Sequence, residues 1–240
     1  AKPPWKAKQM KILIPMAGAG SRFAEAGYTF PKPLIEIMGR TMIEVVVKNL
    51  RVEGDFIFIV QRGHFEKFNL GHYLNLLAPG CEVVIVDKIT DGAARTALLA
   101  EKLIDNESPL LIANSDQFLD WDSSEILYQL GSDGTDGGLI TFESTHPKWS
   151  FAKLDDEGWV TEVAEKDPIS NVATTGVYYW SRGSDFVKFA KQMIQKDIRT
   201  NGEFYICPVY NEAIEAGLKI RARPITQMWG LGTPEDLSSF

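Results

Sequence analysis

Cysteine is scarce in this 240-residue chain: there are two, Cys81 and Cys207, far apart and in no C-x-x-C pair. Neither a disulfide scaffold nor a cysteine-based zinc site is expected from that count, and a reducing cytoplasm is the simplest setting. The three histidines, His64, His72 and His146, show no H-x-x-x-H metal spacing. No apolar run approaches the roughly 18 residues that cross a bilayer, so no membrane partner is expected. Basic charge is in deficit, 25 Lys and Arg against 32 Asp and Glu, for a net charge of −7. A chain of that balance with no basic run does not suit a nucleic-acid backbone, whose binding needs cations that displace counterions. Small anions need only a few cations that converge. With 45% hydrophobic and 24% charged residues, the composition is that of a folded domain. Residues 1–9 are basic but have no apolar h-region, so they are set aside as an N-terminal arm, not a secretory signal. Residues 10–240 read as one domain.

The first half alternates two periodicities. Lys11 to Met16, Phe56 to Val60, Val83 to Val86 and Leu110 to Ala113 are short apolar runs, as expected of strands covered on both faces. Between them, Met42, Val45, Val46 and Leu50 have helical spacing, as do Ala93, Ala97, Ala100 and Ile104; both fit amphipathic helices packed on a sheet. His64 to Leu77 is a weaker helical segment. Strand and helix in alternation imply parallel strands with crossovers, a Rossmann-like α/β sheet, mainly parallel and flanked by helices. One connection is long: Ala17 to Gly39, rich in Gly and Pro. It leaves the carboxyl end of the first strand, where open α/β sheets bind ligands, and loops of that length are usually functional or disordered.

The second half, 131–240, reads as a mixed-sheet elaboration that forms the far wall of a cleft. Gly131 to Gly138 is a turn-rich connector. Strands follow at Leu139 to Phe142, Phe151 to Leu154, Trp159 to Ala164 and Val172 to Trp180, then helices at Ser184 to Lys196 and Glu203 to Ala216.

Four groups of residues carry chemical interest. Gly18-Ala19-Gly20-Ser21-Arg22 and Lys32 lie on the long loop. Glycines let backbone N–H groups approach a phosphate, and the two cations suit a triphosphate; a flexible loop with incidental charges explains the same residues. The dinucleotide fingerprint fails, because Phe23 stands at its third glycine and no short strand-to-helix turn follows, and the P-loop pattern is absent. Asp116 follows the fourth strand and either holds a cation, for which Mg²⁺ is the hard-ligand choice, or caps the next turn. Glu165-Lys166 closes a strand, as a site pair or an exposed ion pair. Asn201-Gly202-Glu203 reads as a helix start with Glu203 in its first turn.

Together the segments resemble the sugar-phosphate nucleotidylyltransferase family over nearly the whole chain. The anchor is IPMAGAGSRF followed by PKPLIEIMGRTMIE, and ITDGAARTAL, LIANSDQ, VAEKD, TTGVYYW, NGEFY and GLGTPEDL follow in order. The resemblance implies transfer of a nucleotidyl group from an NTP to a phosphorylated acceptor, with pyrophosphate released and Mg²⁺ as cofactor. It assigns the nucleotide to Ala17, Gly18, Ala19, Gly20 and Ser21, and its base and ribose to Asp91, Gly92 and Ala93. It puts Arg22 on the β- and γ-phosphates, Lys32 on the α-phosphate and Asp116 on the metal. Lys166 is implied at the acceptor's phosphate, and Glu165, Thr175, Gly176 and Glu203 around its body.

One departure matters. Members usually carry a second metal-binding Asp two residues before the final Gly-Thr, where this chain has Gly230. A branch with a similar GLGTPEDL ending appears among capsule-type gene products, and some of its relatives resemble cytidylyltransferases that use non-sugar phosphates. A cationic acceptor of that kind would call for an aromatic cage, with Trp149, Trp159 and Tyr178 as candidates and core packing as the other explanation. Three rivals stand beside the main reading. A non-catalytic nucleotide-binding module gains from Gly230 but loses to Arg22, Lys32, Asp116 and Lys166 together. A metal-dependent glycosyltransferase would show Asp-x-Asp where Asp116-Gln117-Phe118 stands. A nicotinamide dehydrogenase is opposed by Phe23.

Overall fold

The computed structural model describes residues 9–132 and 134–240. All of the N-terminal arm but Gln9 lies outside the described residues, as does Asp133 in the 131–138 connector. In chain order the first half runs β1 (Lys11–Pro15), α1 (Ser21–Glu25), a 3-10 turn (Lys32–Leu34), β2 (Glu36–Ile37), β3 (Arg40–Thr41), α2 (Met42–Leu50), β4 (Asp55–Gln61), α3 (Arg62–Lys67), α4 (Leu70–Leu77), β5 (Glu82–Val86), α5 (Ala93–Leu98), α6 (Glu101–Ile104) and β6 (Leu110–Ala113). The second runs β7 (Gln117–Asp120), α7 (Ser123–Ser132), β8 (Gly137–Glu143), β9 (Ser150–Leu154), β10 (Val160–Glu165), β11 (Val172–Trp180), α8 (Gly183–Gln195), α9 (Val209–Glu215), β12 (Ile220–Pro224), β13 (Gln227–Gly230) and α10 (Pro234–Ser239).

One large sheet runs through both halves, in the order β10-β9-β11-β6-β1-β4-β5, with β8 on β11 and β12 on β8. The pairs β1–β4, β1–β6 and β4–β5 are parallel, whereas β11 is antiparallel to both β6 and β8. The apolar runs are continuous because both faces are covered. Leu13, Ile57 and Ile59 join one buried cluster with α5, α8 and α9; Ile12, Ile14, Phe58 and Val60 join the other with α2 and α4. The helix α2 begins where Thr41 accepts a bond from Glu44 N at 3.2 Å, an N-cap that satisfies an orphan donor.

Five readings of the sequence need correction. The periodic stretch from Ala93 to Ile104 is two short helices, because i to i+3 bonds tighten the chain through Leu99 and Ala100. His64 to Leu77 also breaks, at Asn69, which adopts φ 51, a left-handed turn that Asn tolerates. The glycine loop does run into a helix: Gly20, at φ 60, precedes α1, whose five residues are too few to show a period. The 131–138 connector is shorter than it reads, since Gly131 and Ser132 end α7 and Gly137 and Gly138 begin β8.

The helix read over Glu203 to Ala216 is also shorter than its pattern. It starts at Val209, not Glu203. Asn201 (φ 48) and Gly202 (φ 78) instead make a tight turn, closed by mutual backbone bonds between Thr200 and Glu203 at 2.9 and 3.0 Å. Asn-Gly with both φ positive is the hairpin signal. Glu203 is therefore in no helix's first turn.

Candidate active site

The site follows from the topology. Because β1 and β6 are parallel neighbours, the segments that leave their carboxyl ends start side by side. One is the Ala17–Gly39 loop; the other is Asn114-Ser115-Asp116. Gln61 Nε2 donates to both Ala17 O and Gly18 O at 2.9 Å, which pins the glycine segment to the end of β4. Across 84 residues of sequence, Lys32 Nζ lies 2.5 Å from Asp116 Oδ2. The strand β13 pairs with β7, and Leu231 N donates to Asp116 O at 2.7 Å. A Cβ at position 232 would fall 2.9 Å from Asp116 Oδ2, so glycine lets the chain pass this close without displacing that carboxylate.

The opposite wall comes from β11. Its register against β8 shifts between Thr174 and Tyr178, a bulge of the kind that re-aims side chains beside a site. Gly176 sits in the bulge at φ 85, and Asn114 N donates to its carbonyl at 2.9 Å. A Cβ there would meet Asn114 Nδ2 at 2.6 Å. The strand β10 ends in Glu165, paired with Ser150 of β9, and Lys166 follows.

These elements enclose a cavity of about 380 Å³. Arg22, Ala93 and Asp116 reach it from the first half of the chain; Glu165, Lys166, Thr175 and Gly176 reach it from the second. Lys32 joins them through Asp116. Ala17, Gly18, Ala19, Gly20 and Ser21 lead to the cavity through Arg22 but are not in its walls, and neither are Asp91 and Gly92. The Asp91 carboxylate is held by Arg95 and Arg199, at 2.5 and 2.9 Å. Glu203 stands one residue behind the wall: Lys166 Nζ donates to Tyr205 Oη at 2.8 Å, and Tyr205 Oη donates to Glu203 Oε2 at 3.0 Å.

Lys148 lies in the wall but in none of the quoted motifs, and Tyr205 and Asp236, which fall within NGEFY and GLGTPEDL, were given no role there. The aromatic cage does not assemble. Trp149 and Tyr178 line the cavity, but Trp159 lies under Arg221, 3.8 Å from its ring centroid. Ammonium groups already sit over two of the cavity's rings, Lys148 over Trp149 at 4.6 Å and Lys166 over Tyr205 at 4.9 Å.

Burial pushes the Glu165 carboxyl up to about 7, with the neighbouring Lys166 charge opposing it. The folded chain thus keeps a proton that the unfolded chain releases near pH 4.5, so Glu165 lowers stability as pH rises from about 4.5 to 7. Glu165→Gln is expected to gain stability over wild type across that window, by up to about 3 kcal/mol above pH 7. Urea unfolding of both proteins at pH 5 and pH 8 checks this; an equal difference at the two pH values contradicts it.

Residues 11–237 match the family model described as nucleotidyl transferase. The chain belongs to that family. Its relatives include a low-salt glycan biosynthesis nucleotidyltransferase of Haloferax volcanii, 26% identical over 95% of this chain and 64% of the relative. The bifunctional protein GlmU of Methanocaldococcus jannaschii is 25% identical over 95% of this chain and 52% of its own. The chain thus spans between half and two thirds of the length of these relatives. A solved nucleoside-diphosphate-sugar pyrophosphorylase from Vibrio cholerae RC9 superposes with a TM-score of 0.82 at 29% identity, over 95% of this chain and 98% of that one. The shared architecture is the nucleotide-diphospho-sugar transferase fold, a mainly parallel sheet flanked by helices. Among the described residues no helix is long and apolar enough to cross a membrane.

Proposed function

We propose that this nucleotidyl transferase moves an NMP group from an NTP to a phosphorylated small-molecule acceptor, a sugar 1-phosphate or small alkyl phosphate, and releases pyrophosphate. One observation carries the reading: Arg22 and Lys32 from the long loop and Lys166 from the second half of the chain gather around one cavity with the Asp116 carboxylate. In this reading the first half of the chain, 10–130, holds the nucleotide and the second, 131–240, the acceptor. Ala17 to Ser21 and Asp91 to Ala93 contribute backbone to the nucleotide; the Asp91 carboxylate itself is engaged by arginines.

An acceptor phosphate oxygen attacks the α-phosphorus, the bond to the β-phosphate breaks, and the electron pair leaves with pyrophosphate. The attacking oxygen is already an anion, so no general base is needed. What must be overcome is the approach of a dianion to a tetra-anion, and catalysis is positioning plus neutralisation of charge. Arg22 takes the β- and γ-phosphates, Lys32 the α-phosphate and Lys166 the acceptor's phosphate. Glu165, Thr175 and Gly176 bound the acceptor's body, with Glu203 acting through Tyr205. The ammonium groups over Trp149 and Tyr205 favour an anionic or neutral acceptor over a cationic one.

The residues present fit Mg²⁺. Among the described residues no group of three or more His, Cys, Asp or Glu is placed to hold a metal ion, so most ligands must be phosphate oxygens and water, which is the Mg²⁺ habit. Asp116 would be the protein's carboxylate ligand, and the ion would add positive charge at the phosphates. Gly230 supplies none, and a Cβ there would lie 2.8 Å from Trp149 Cη2, so a side chain would require that ring to shift.

The test is pyrophosphate release with CTP, UTP, dTTP, ATP and GTP against a panel of sugar and alkyl phosphates, with Mg²⁺ and with chelator. Magnesium-dependent release with one base and one acceptor class is expected. Release confined to CTP and a non-sugar phosphate identifies a cytidylyltransferase. Nucleotide binding without release from any pair defeats the reading in favour of a regulatory module.

A further inference from the structure

The cavity holds a cation that the mechanism above does not use. Lys148 lies between β8 and β9, in the cavity wall. Its Nζ is 2.9 Å from Asp236 Oδ1 and 4.6 Å from the Trp149 ring centroid. This is the arrangement of Lys32 on Asp116 repeated on the far wall: an ammonium parked on a carboxylate of the same cavity. Its side chain is 42% exposed, so it is free to turn toward a ligand.

The surroundings of Lys148 are built to hold it at this point. Lys166 N donates to Trp149 O at 2.9 Å, and the Trp149 ring packs edge-on to Phe142 at 5.6 Å. The ring edge lies close over Gly230: a Cβ there would be 2.8 Å from Trp149 Cη2 and 3.7 Å from Asp236 Oδ2. Lysine, indole and carboxylate thus line the same cavity as Asp116 and Gly232. Asp236 is in the first turn of α10, and Thr233 Oγ1 accepts a bond from its N–H, so the position of Asp236 does not depend on Lys148.

We propose that Lys148 is a further phosphate-binding residue of this site, released from Asp236 when phosphate enters. The inference rests on the reading of the cavity as a phosphoryl-transfer site. In that chemistry every additional cation aimed at the phosphates offsets repulsion between the reactants, and position 230 carries no metal-binding side chain. The phosphate belongs either to the nucleotide or to the acceptor, and both sources are testable.

Calorimetry with two probes separates them: magnesium pyrophosphate stands for the nucleotide's terminal phosphates, inorganic phosphate for the acceptor's. Wild type, Lys148→Ala, Lys148→Arg and Arg22→Ala are compared. Lys148→Ala is expected to weaken one probe by about 10- to 100-fold, the range for a hydrogen bond to a charged group, and Lys148→Arg to restore most of it. The probe that weakens names the source. Saturation should also change tryptophan emission in wild type but not in Trp149→Phe, since the ammonium leaves that indole. If Lys148→Ala binds both probes as wild type does and only its melting temperature falls, Lys148 is a structural ion pair and the proposal is overturned. Weakened pyrophosphate binding in Arg22→Ala beside unchanged Lys148→Ala overturns this inference alone. Wild-type binding in Arg22→Ala, or no binding of either probe by wild type, overturns the phosphoryl-transfer reading with it.

Discussion

Lys32→Ala is expected to lower kcat/KM for pyrophosphate release by about 10²- to 10³-fold, the usual cost of one preorganised charge contact in a transition state. Arg22→Ala is expected to fall by the same order. The argument is electrostatic. Lys32 is one of three cations in the proposed chemistry, and the carboxylate it pairs with belongs to the same cavity. Its pair with Asp116 leaves the two side chains 22% and 29% exposed, so the freed carboxylate can be hydrated and the fold should persist. The loss should fall on kcat as well as kcat/KM, because a contact made only in the transition state lowers both. Steady-state kinetics on a nucleotide that supports turnover, with melting curves for folding, decides the matter. Near-wild-type turnover in both variants would remove the basis of the functional reading.

The largest effect on stability is expected from Gly92→Ala. Gly92 has φ 132, and a Cβ there would lie 2.4 Å from both Phe204 N and Phe204 O. Those two atoms are engaged in hydrogen bonds, Phe204 N to Asp91 O at 2.8 Å and Ala94 N to Phe204 O at 2.9 Å. Alanine must strain its own backbone and break or bend both bonds. Such a change costs about 3 kcal/mol or more, or a melting temperature roughly 6–12 °C lower for a chain of this size. Gly80→Ala is the control: φ is 79, but nothing lies within 4 Å of the added Cβ, so about 1 kcal/mol is expected. Equal melting temperatures for the two variants would show that the contact with Phe204 yields at little cost.

Some elements were legible to the residue. Met42 to Leu50, Leu110 to Ala113 and Val172 to Trp180 have the bounds that their patterns give, because each buries an unbroken apolar run or an unambiguous apolar stripe. The meeting of Lys32 with Asp116 was legible only as a consequence of motif order and sheet topology. Other elements left little trace. The strands β7 and β13 have four residues each and α10 has six, too few for a period to emerge. The pairing of Lys148 with Asp236 was not legible: Lys148 lies in no motif, Asp236 sits in GLGTPEDL without an assigned role, and the two are 88 residues apart. Glu203 was misread for a different reason. Helix-start chemistry and tight-turn chemistry use the same residues, and the Asn-Gly pair favoured the turn.

The strand β11 bonds to β8 along one edge and to β6 and β9 on the other, so the same backbone belongs to both sides of the cleft. A clamshell rotation of one side away from the other would have to shear that ladder. Opening and closing must therefore come from smaller pieces, the Gly-rich segment before Lys32 and the short carboxyl-terminal helix. Fluorescent labels on the far ends of the two halves should keep their separation through turnover, while labels on those two segments should not.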